Sequence, residues 1–314
     1  MTIQYVEPFS RGFARMKKAL FNPFDLKKWF VVGFTAFLSG LTDFHGGADS
    51  GRKDGGMVHW EDVLYFPQKA AEWLTENPGW AILIAFGVFL ILILGVFVAW
   101  WSSRGKFMFL DNVVHDRSQV RAPWNEYRVE GNSLFLVSLS LAAIVLVIVT
   151  GYVIQCFTAL QGLYEGVEGE KALIVPAILM LLGLIAIFLL SGFISLLLRD
   201  FVVPIMYRYR ITTLKAVGKF FTLLMSRLLY FVGYALFTFV ILLVVVIAIV
   251  IVGFATCCVG FLLFALPYIS AVVLLPVSYT LRAFSVEFLE QFGPEYHIFP
   301  RESATPASTE TTIA

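Results

Sequence analysis

Charge is scarce in this 314-residue sequence, and its scarcity excludes whole classes of protein. Charged residues make up 14% of the chain, against roughly 25% in an ordinary soluble domain. Apolar types make up 59%, and the mean hydropathy is +0.82. A water-soluble fold cannot bury that much apolar surface, so the composition predicts a multi-pass membrane protein and excludes a soluble enzyme or a disordered chain. The net charge of +1 implies no polyanionic partner, so we expect no nucleic acid among its partners.

Four stretches contain no Asp, Glu, Lys, Arg or His: residues 77–103, 131–164, 172–198 and 228–281. A transmembrane helix needs about 20 apolar residues, so each of the first three stretches can hold one span. The fourth stretch has 54 residues, and as a single helix it would be ~81 Å long, far more than a bilayer needs. We therefore expect it to fold back, with the turn near the two glycines of residues 253–260.

A weaker candidate span lies close to the N-terminus. Residues 29–42 carry no charge and follow Lys27 and Lys28. Extended to residue 44, this segment would be ~24 Å long as a helix, so it would cross the membrane with a mismatch. A re-entrant or interfacial helix and a cleaved signal segment are the alternatives.

These stretches predict an all-α integral membrane protein with six transmembrane helices, arranged as three helix hairpins with cytoplasmic interfacial helices. Residues 1–28 form an amphipathic cytoplasmic leader, residues 29–299 the membrane domain, and residues 300–314 a disordered Ser/Thr-rich tail. The spans are expected at about 29–44, 78–101, 133–160, 172–198, 228–253 and 259–281.

Lysine and arginine are distributed unequally between the two sides of this six-span arrangement. One side, which includes both termini, carries 19 of them, and the other carries four. The positive-inside rule therefore predicts a protein of the cell inner (plasma) membrane with both termini in the cytoplasm. An arginine follows each even-numbered span, at positions 104, 199 and 282. This pattern is typical of a triplicated unit, but it is also typical of the cytoplasmic ends of unrelated transmembrane helices.

The spans lack the groups that ion-coupled transport and voltage sensing require, because no ionisable residue lies within the four uncharged stretches. The four histidines have no metal-ligand spacing, and the chain has no phosphate-binding loop. We interpret the sequence His115-Asp116-Arg117 as a solvated turn rather than a catalytic group. The sequence therefore predicts no catalytic residue, no metal and no cofactor.

Basic residues beside aromatic ones mark the candidate binding sites. In the segment 102–132, arginines and lysines alternate with phenylalanine, tryptophan and tyrosine, a combination that suits anionic lipid headgroups. The candidate lipid-headgroup contacts are Arg104, Lys106, Arg117, Arg199 and Arg282. The alternative is that these charges only set topology and anchor helix ends.

The sequence has three cysteines, and we expect all of them at the outer face. Cys257 and Cys258 fall in the predicted outer turn, and Cys156 lies ~34 Å along the third span from its inner end. A disulfide from Cys156 to either of the others is one interpretation. Small apolar side chains packed at helix ends are the other.

Three segments carry a resemblance to known sequences. They are residues 103–135, including Ala122-Pro-Trp-Asn-Glu-Tyr127, together with Asn22-Pro-Phe-Asp25 and Phe288-Leu-Glu-Gln-Phe-Gly-Pro-Glu-Tyr296. They resemble a family of uncharacterised bacterial multi-pass membrane proteins. More distantly, the chain is similar to the membrane domain fused to some glycerophosphodiester phosphodiesterases. The catalytic half of those enzymes has no counterpart here, so the resemblance implies a bacterial inner-membrane protein and carries over no catalytic residue.

Three functions remain open from the sequence. The first is a non-catalytic scaffold or assembly partner, since the spans hold no ionisable group. The second is a lipid- or amphiphile-handling transporter or accessory protein, because apolar cargo needs no buried charge. The third is an interfacial membrane enzyme built on the polar residues near 104–130. The expected partners are membrane lipids and other membrane proteins.

Overall fold

All regular secondary structure is helical in the part of the chain that the computed structural model describes, residues 3–42, 64–166, 173–256 and 266–300. The helices are α1 (Val6–Phe21), α2 (Leu26–Gly40), α3 (Phe66–Glu76), α4 (Pro78–His115), α5 (Arg121–Glu126), α6 (Arg128–Gly166), α7 (Ile174–Leu197), α8 (Val203–Tyr209), α9 (Thr213–Ala255), α10 (Pro267–Val273) and α11 (Leu275–Glu290). A π-helical turn, Leu198–Val202, joins α7 to α8, and a 3-10 turn, Pro294–Tyr296, follows α11.

Four helical segments of the described residues are long and apolar enough to cross a membrane: α4, α6, α9 and the continuous run from Ile174 to Tyr209. Their most apolar stretches are almost entirely exposed in the isolated chain, as expected for surfaces that face lipid. The all-α class is therefore confirmed, and four candidate spans lie in the regions of the second to fifth predicted spans.

The described part of the first predicted span, 29–44, lies mostly in a short helix, α2, which packs against one half of α4. α2 has 15 residues, and it runs antiparallel to residues 102–116. Lys28 Nζ lies 2.9 Å from Asp116 Oδ1 at one end, and Thr42 Oγ1 lies 3.0 Å from Ser102 Oγ at the other. Gly105 permits this approach, because a Cβ there would lie 2.7 Å from Leu38.

The last predicted span, 259–281, begins outside the described residues and continues as two helices. α10 ends and α11 begins around Leu274 (φ −85°, ψ 5°). Pro276 explains the break, because it lacks the N–H that would bond the carbonyl of Val272. The indole N–H of Trp29 on α2 donates to that carbonyl instead, at 2.8 Å. The predictions of six spans and three hairpins are thus not confirmed by the helices themselves.

The buried core lies where the charged halves of the helices converge, and we call this the charged end of the bundle. Its largest fully buried side chains include Phe201, Phe231, Tyr234, Phe284 and Phe288. Their ring centroids lie 4.8 to 6.1 Å apart, as between Phe201 and Tyr234 and between Phe231 and Phe288. Such aromatic pairs add about 0.5–1.5 kcal/mol each beyond their burial, so they fix the π turn, α9 and α11 against one another.

α1 completes this core by lying antiparallel to α11. Gly12 is in close contact with the partner backbone, because a Cβ there would lie 2.9 Å from the nitrogen of Phe284. α1 buries Met16 and Leu20 on this face and leaves Val6 and Phe13 exposed on the other.

α9 is divided by a kink at Arg227 (φ −141°, ψ 30°), which separates its basic first part from the uncharged stretch that follows. The predicted outer turn with Cys257 and Cys258, and the predicted tail from residue 301, lie outside the described residues. Cys156 is partly buried on α6, and the disulfide stays a prediction.

Candidate functional site

A pocket of about 410 Å³ lies between α2, α9, α10, α11 and the π turn. That volume falls within the ~300–1,000 Å³ of typical small-ligand sites. Its wall is mostly apolar, and the apolar residues lining it are Ala36, Phe37, Leu41, Phe109, Leu242, Val245, Ala271, Leu274, Val277 and Leu281. The charged residues lining it are Arg199, Asp200 and Arg282. The three charged residues lie together, because Asp200 is 2.9 Å from Arg199 Nε and 3.9 Å from Arg282 Nη1.

The π turn brings two of these charged residues into the pocket. Pro204 has no N–H, so it cannot form the ordinary i to i−4 bond with the carbonyl of Asp200. The backbone widens by one residue here, and the N–H of Val203 bonds the carbonyl of Leu198, five residues earlier. Arg199 and Asp200 are carried on this widened turn and both line the pocket.

Arg282 reaches the same point from α11. Its Nη1 donates to the carbonyl of Arg199 at 2.7 Å and lies 3.9 Å from Asp200 Oδ1. Arg199 Nε donates to the same carboxylate at 2.9 Å. The side chains of Arg282 and Asp200 are buried, whereas that of Arg199 is 27% exposed. Two cations and one anion of the described residues therefore share this end of the pocket.

One face of α9 connects the charged end of the pocket to its apolar wall. Tyr234 donates a hydrogen bond to Asp200 Oδ2 at 3.0 Å, and Leu242 and Val245 lie two and three turns further along. Thr238 lies between them on this face and is buried. Within the described part of the chain, its hydroxyl oxygen has no hydrogen-bond partner. A buried hydroxyl without a partner costs about 1–3 kcal/mol, and Thr238 lies one turn along α9 from Tyr234.

Arg104, the first of the five candidate headgroup contacts, is enclosed by protein. Its guanidinium lies 4.5 Å from the ring centre of Trp100 and 4.8 Å from that of Trp124. Its Nη2 also donates to Asn132 Oδ1 at 3.0 Å. Lys106 lies nearby, with Nζ 3.4 Å from Thr42 Oγ1. Arg104 therefore ties α4 to α5 and α6.

Arg117 is held by a buried carboxylate. Its Nε and Nη2 donate to the two oxygens of Asp111, at 3.0 and 2.8 Å, and Tyr207 donates to Asp111 Oδ1 at 2.9 Å. The hydrogen bond to Asp111 raises the pKa of Arg117. Tyr127 stacks on Tyr207 with ring centres 5.0 Å apart, and burial raises the pKa of Tyr127 to about 12. This cluster joins α4 to α8, and it contains neither Arg199 nor Arg282.

The structure thus brings together two of the five predicted contacts, Arg199 and Arg282, and places the other three elsewhere. Sequence reasoning missed Asp200, Tyr234 and Thr238. The available signal for Asp200 was a carboxylate two residues after an uncharged stretch and four residues before a proline. Among the residues that the structure describes, no group of three or more His, Cys, Asp or Glu is placed to hold a metal ion.

Comparison with protein families gives one match: residues 4–289 match the model of a family of unknown function (DUF7544). No curated protein and no solved structure matches the chain.

Proposed function

The chain belongs to the DUF7544 family of unknown function, and we propose that it binds an anionic amphiphile in the pocket between α2, α9, α10 and α11. The headgroup bonds Arg199 and Arg282, and the alkyl chain lies along the apolar wall. The observation that carries this proposal is an apolar pocket with two arginines at one end. A scaffold needs no such pocket, so amphiphile handling is the better supported of the hypotheses.

The length of the pocket supports an alkyl chain as the ligand's apolar part. Val245 follows Tyr234 by 11 residues on one face of α9, which corresponds to ~16 Å along the helix. One leaflet of the hydrocarbon core is about 15 Å thick. A chain that starts at the arginines and follows α9 therefore covers about the depth of one leaflet.

We propose further that the charged end faces the cytoplasm of a bacterial inner membrane, and that the chain crosses six times. Thr42 lies beside Ser102 at the charged end, whereas Gln161 Nε2 donates to the carbonyl of Leu64 at 2.6 Å, near the opposite end of α6. Thr42 and Leu64 therefore lie at opposite ends of the bundle. Ala255 lies ~32 Å along α9 from Tyr234, whereas α10 packs on α2 at the charged end.

On this proposal, the short helices α2 and α10 adjoin the first and the last of the six crossings at the charged end. Their meeting leaves room for the pocket. A topology reporter after Gly131 should then read cytoplasmic, and one within residues 46–56 should read extracytoplasmic. Identical readings at the two positions would reject the six-crossing arrangement.

Binding is tested with fluorescently labelled palmitate and the full chain in phosphatidylcholine nanodiscs, with empty nanodiscs as the blank. Arg199→Gln removes one cation, and Ala271→Trp fills the apolar wall. A charge-assisted hydrogen bond is worth about 1.5–3 kcal/mol, so we expect Arg199→Gln to weaken binding at least tenfold. Lys215→Gln, which removes an exposed cation elsewhere on α9, is the matched control.

Two results would overturn the proposal. One is a wild-type protein that takes up no more palmitate than empty nanodiscs do. The other is palmitate binding that Arg199→Gln and Ala271→Trp both leave unchanged. Hexadecyltrimethylammonium, a cation with a chain of the same length, should bind at least tenfold more weakly than palmitate, since it would meet two arginines.

A further inference from the structure

Arg104 is a buried cation that has no carboxylate partner among the described residues. The residue is only 8% exposed, and its guanidinium packs on the rings of Trp100 and Trp124. Its hydrogen bonds, from Nε at 3.3 Å and from Nη2 at 3.0 Å, both go to the neutral amide oxygen of Asn132. A buried charge is costly unless an opposite charge pairs with it, and cation–π contacts offset only part of that cost.

A second arginine adds to this excess of positive charge. Arg128, at the start of α6, is close enough to Arg104 for the two guanidinium groups to repel each other. Arg128 is exposed and forms no ion pair within the part of the chain that the structure describes. The nearby carboxylate of Glu130 lies 3.7 Å from Arg210 Nη1 instead. An anion beside both Arg104 and Arg128 would be attracted by each of them and would offset their repulsion.

The guanidinium of Arg104 still has hydrogen-bond donors for such an anion. It carries five N–H groups, and Asn132 accepts from one on Nε and one on Nη2, so the two on Nη1 remain. Among the described residues, Thr238 Oγ1 is the only fully buried side-chain nitrogen or oxygen without a hydrogen-bond partner. Nη1 is therefore accessible to a ligand. A phosphate group suits it, because guanidinium groups form strong charge-assisted hydrogen bonds with phosphate oxygens.

The position of Arg104 in α4 favours a lipid as the source of this phosphate. Arg104 directly follows the uncharged stretch 77–103, and tryptophans such as Trp100 are typical of the boundary between hydrocarbon and water. Large apolar side chains are exposed beside the site, with Phe97 on α4 at 47% and Leu136 on α6 at 61%. Basic pockets between transmembrane helices are known to bind the headgroups of anionic lipids.

We propose that Arg104 and Arg128 bind the phosphate of an anionic phospholipid, at a site separate from the pocket between α2, α9, α10 and α11. The phosphate accepts hydrogen bonds from the remaining N–H groups of Arg104, and its charge attracts both arginines. The acyl chains lie against the exposed apolar side chains of α4 and α6. A soluble phosphate offers the same chemistry, so the experiment has to distinguish the two sources.

Binding is measured with phosphatidylglycerol that carries a dansyl group on one acyl chain, using the full chain in dodecyl maltoside micelles. The signal is energy transfer from tryptophan to the dansyl group. Unlabelled phosphatidylglycerol, phosphatidylcholine and millimolar sodium phosphate are the competitors, at constant ionic strength. We expect phosphatidylglycerol to compete at least tenfold more strongly than phosphatidylcholine, whose choline cation opposes the attraction to the arginines. Sodium phosphate, which has no acyl chain, should not compete.

Three variants locate the site. Arg128→Gln removes an exposed cation, and we expect it to weaken phosphatidylglycerol binding at least tenfold, because a charge-assisted hydrogen bond corresponds to about that factor or more. Lys215→Gln, which removes an exposed cation on α9, is the matched control and should change the affinity by less than about twofold. Arg104→Gln should abolish the preference for phosphatidylglycerol over phosphatidylcholine. If Arg104→Gln does not fold, Arg128→Gln still decides the question.

Four outcomes would overturn the proposal. They are equal competition by phosphatidylglycerol and phosphatidylcholine, an affinity that Arg128→Gln leaves unchanged, and displacement by sodium phosphate, which would indicate a site for a soluble anion. The fourth is loss of phosphatidylglycerol binding in Ala271→Trp with retention in Arg128→Gln, which would place the lipid in the other pocket. Palmitate binding by the wild type tests the proposed function separately, since the two sites share no residue.

Discussion

Asp111 offers the clearest test of how the charged end is held together. Its side chain is fully buried and accepts hydrogen bonds from Arg117 and Tyr207. Asp111→Asn removes the charge, retains the size and turns an amide N–H₂ toward at least one of these donors. The substitution therefore weakens the contact between α4 and α8 without leaving a cavity.

The expected loss follows from what each partner can do afterwards. Removing one member of a buried charge pair costs about 3–5 kcal/mol. The side chain of Arg117 is 35% exposed, so water can take over part of its hydration. Tyr207 retains a second partner, because its hydroxyl lies 3.2 Å from His115 Nδ1. Both facts place the cost of Asp111→Asn at the lower end of that range. We therefore expect a loss of about 3 kcal/mol in the free energy of unfolding.

The assay is an SDS titration in mixed lipid–detergent micelles, followed by tryptophan fluorescence and far-UV circular dichroism. Asp116→Asn is the matched control, because Asp116 is 56% exposed and pairs with Lys28 at 2.9 Å. An exposed ion pair contributes at most about 1 kcal/mol, so the control should change little. If Asp111→Asn falls within 1 kcal/mol of Asp116→Asn, the cluster around Asp111 does not stabilise the charged end.

Three further predictions concern stability, measured by the same titration. Because burial raises the pKa of Tyr127 to about 12, the stabilisation that Tyr127 contributes below pH ~10 should be lost as the pH rises toward 12, by up to about 3 kcal/mol. Tyr127→Phe should therefore reduce the loss of stability over this range, and a variant with the full wild-type dependence contradicts the assignment. Thr238→Val removes a hydroxyl without a hydrogen-bond partner in the described residues, so stability should rise by about 1 kcal/mol; a loss would mean that the hydroxyl is bonded. Gly12→Ala places a Cβ 2.9 Å from the nitrogen of Phe284 and should cost about 1–3 kcal/mol. Gly218→Ala, with nothing within 4 Å, should gain about 0.5–1 kcal/mol, and equal effects of the two glycine variants would refute the close packing of α1 on α11.

The helical class and four long apolar segments followed from the positions of charged residues alone. The form of the first and last predicted spans did not, because an uncharged stretch has the same composition whether its helix is continuous or broken. The helix breaks near Pro276 because proline has no N–H to bond the carbonyl of Val272. The indole N–H of Trp29, 247 residues before Pro276, bonds that carbonyl instead. Composition and spacing contain no information about that contact.

The candidate site was predictable only in part for a similar reason. Arg104, Arg199 and Arg282 follow uncharged stretches in the same way, so the sequence treats them as equivalent. The structure distinguishes them through partners that are distant in sequence, since Arg104 meets two tryptophans and Asn132, whereas Arg282 meets the carbonyl of Arg199. The sequence shows a carboxylate at Asp200, but it does not predict that Asp200 shares a site with the arginines. That placement depends on the π turn, which forms because Pro204 lacks an N–H.

The pairing of the two ends of the chain has a consequence for the order in which the protein is built. α1 packs on α11 and α2 packs on α10, with contacts such as that of Gln4 with Gln291, 287 residues apart. The first two helices leave the ribosome without their partners, and the C-terminal helices follow after more than 200 residues of further synthesis. At about 5–20 residues per second, the N-terminal segment waits roughly 10–50 s before its docking surface exists. During that interval its apolar face is open to lipid, chaperones or other chains, so the pocket closes only after α10 and α11 have been synthesised.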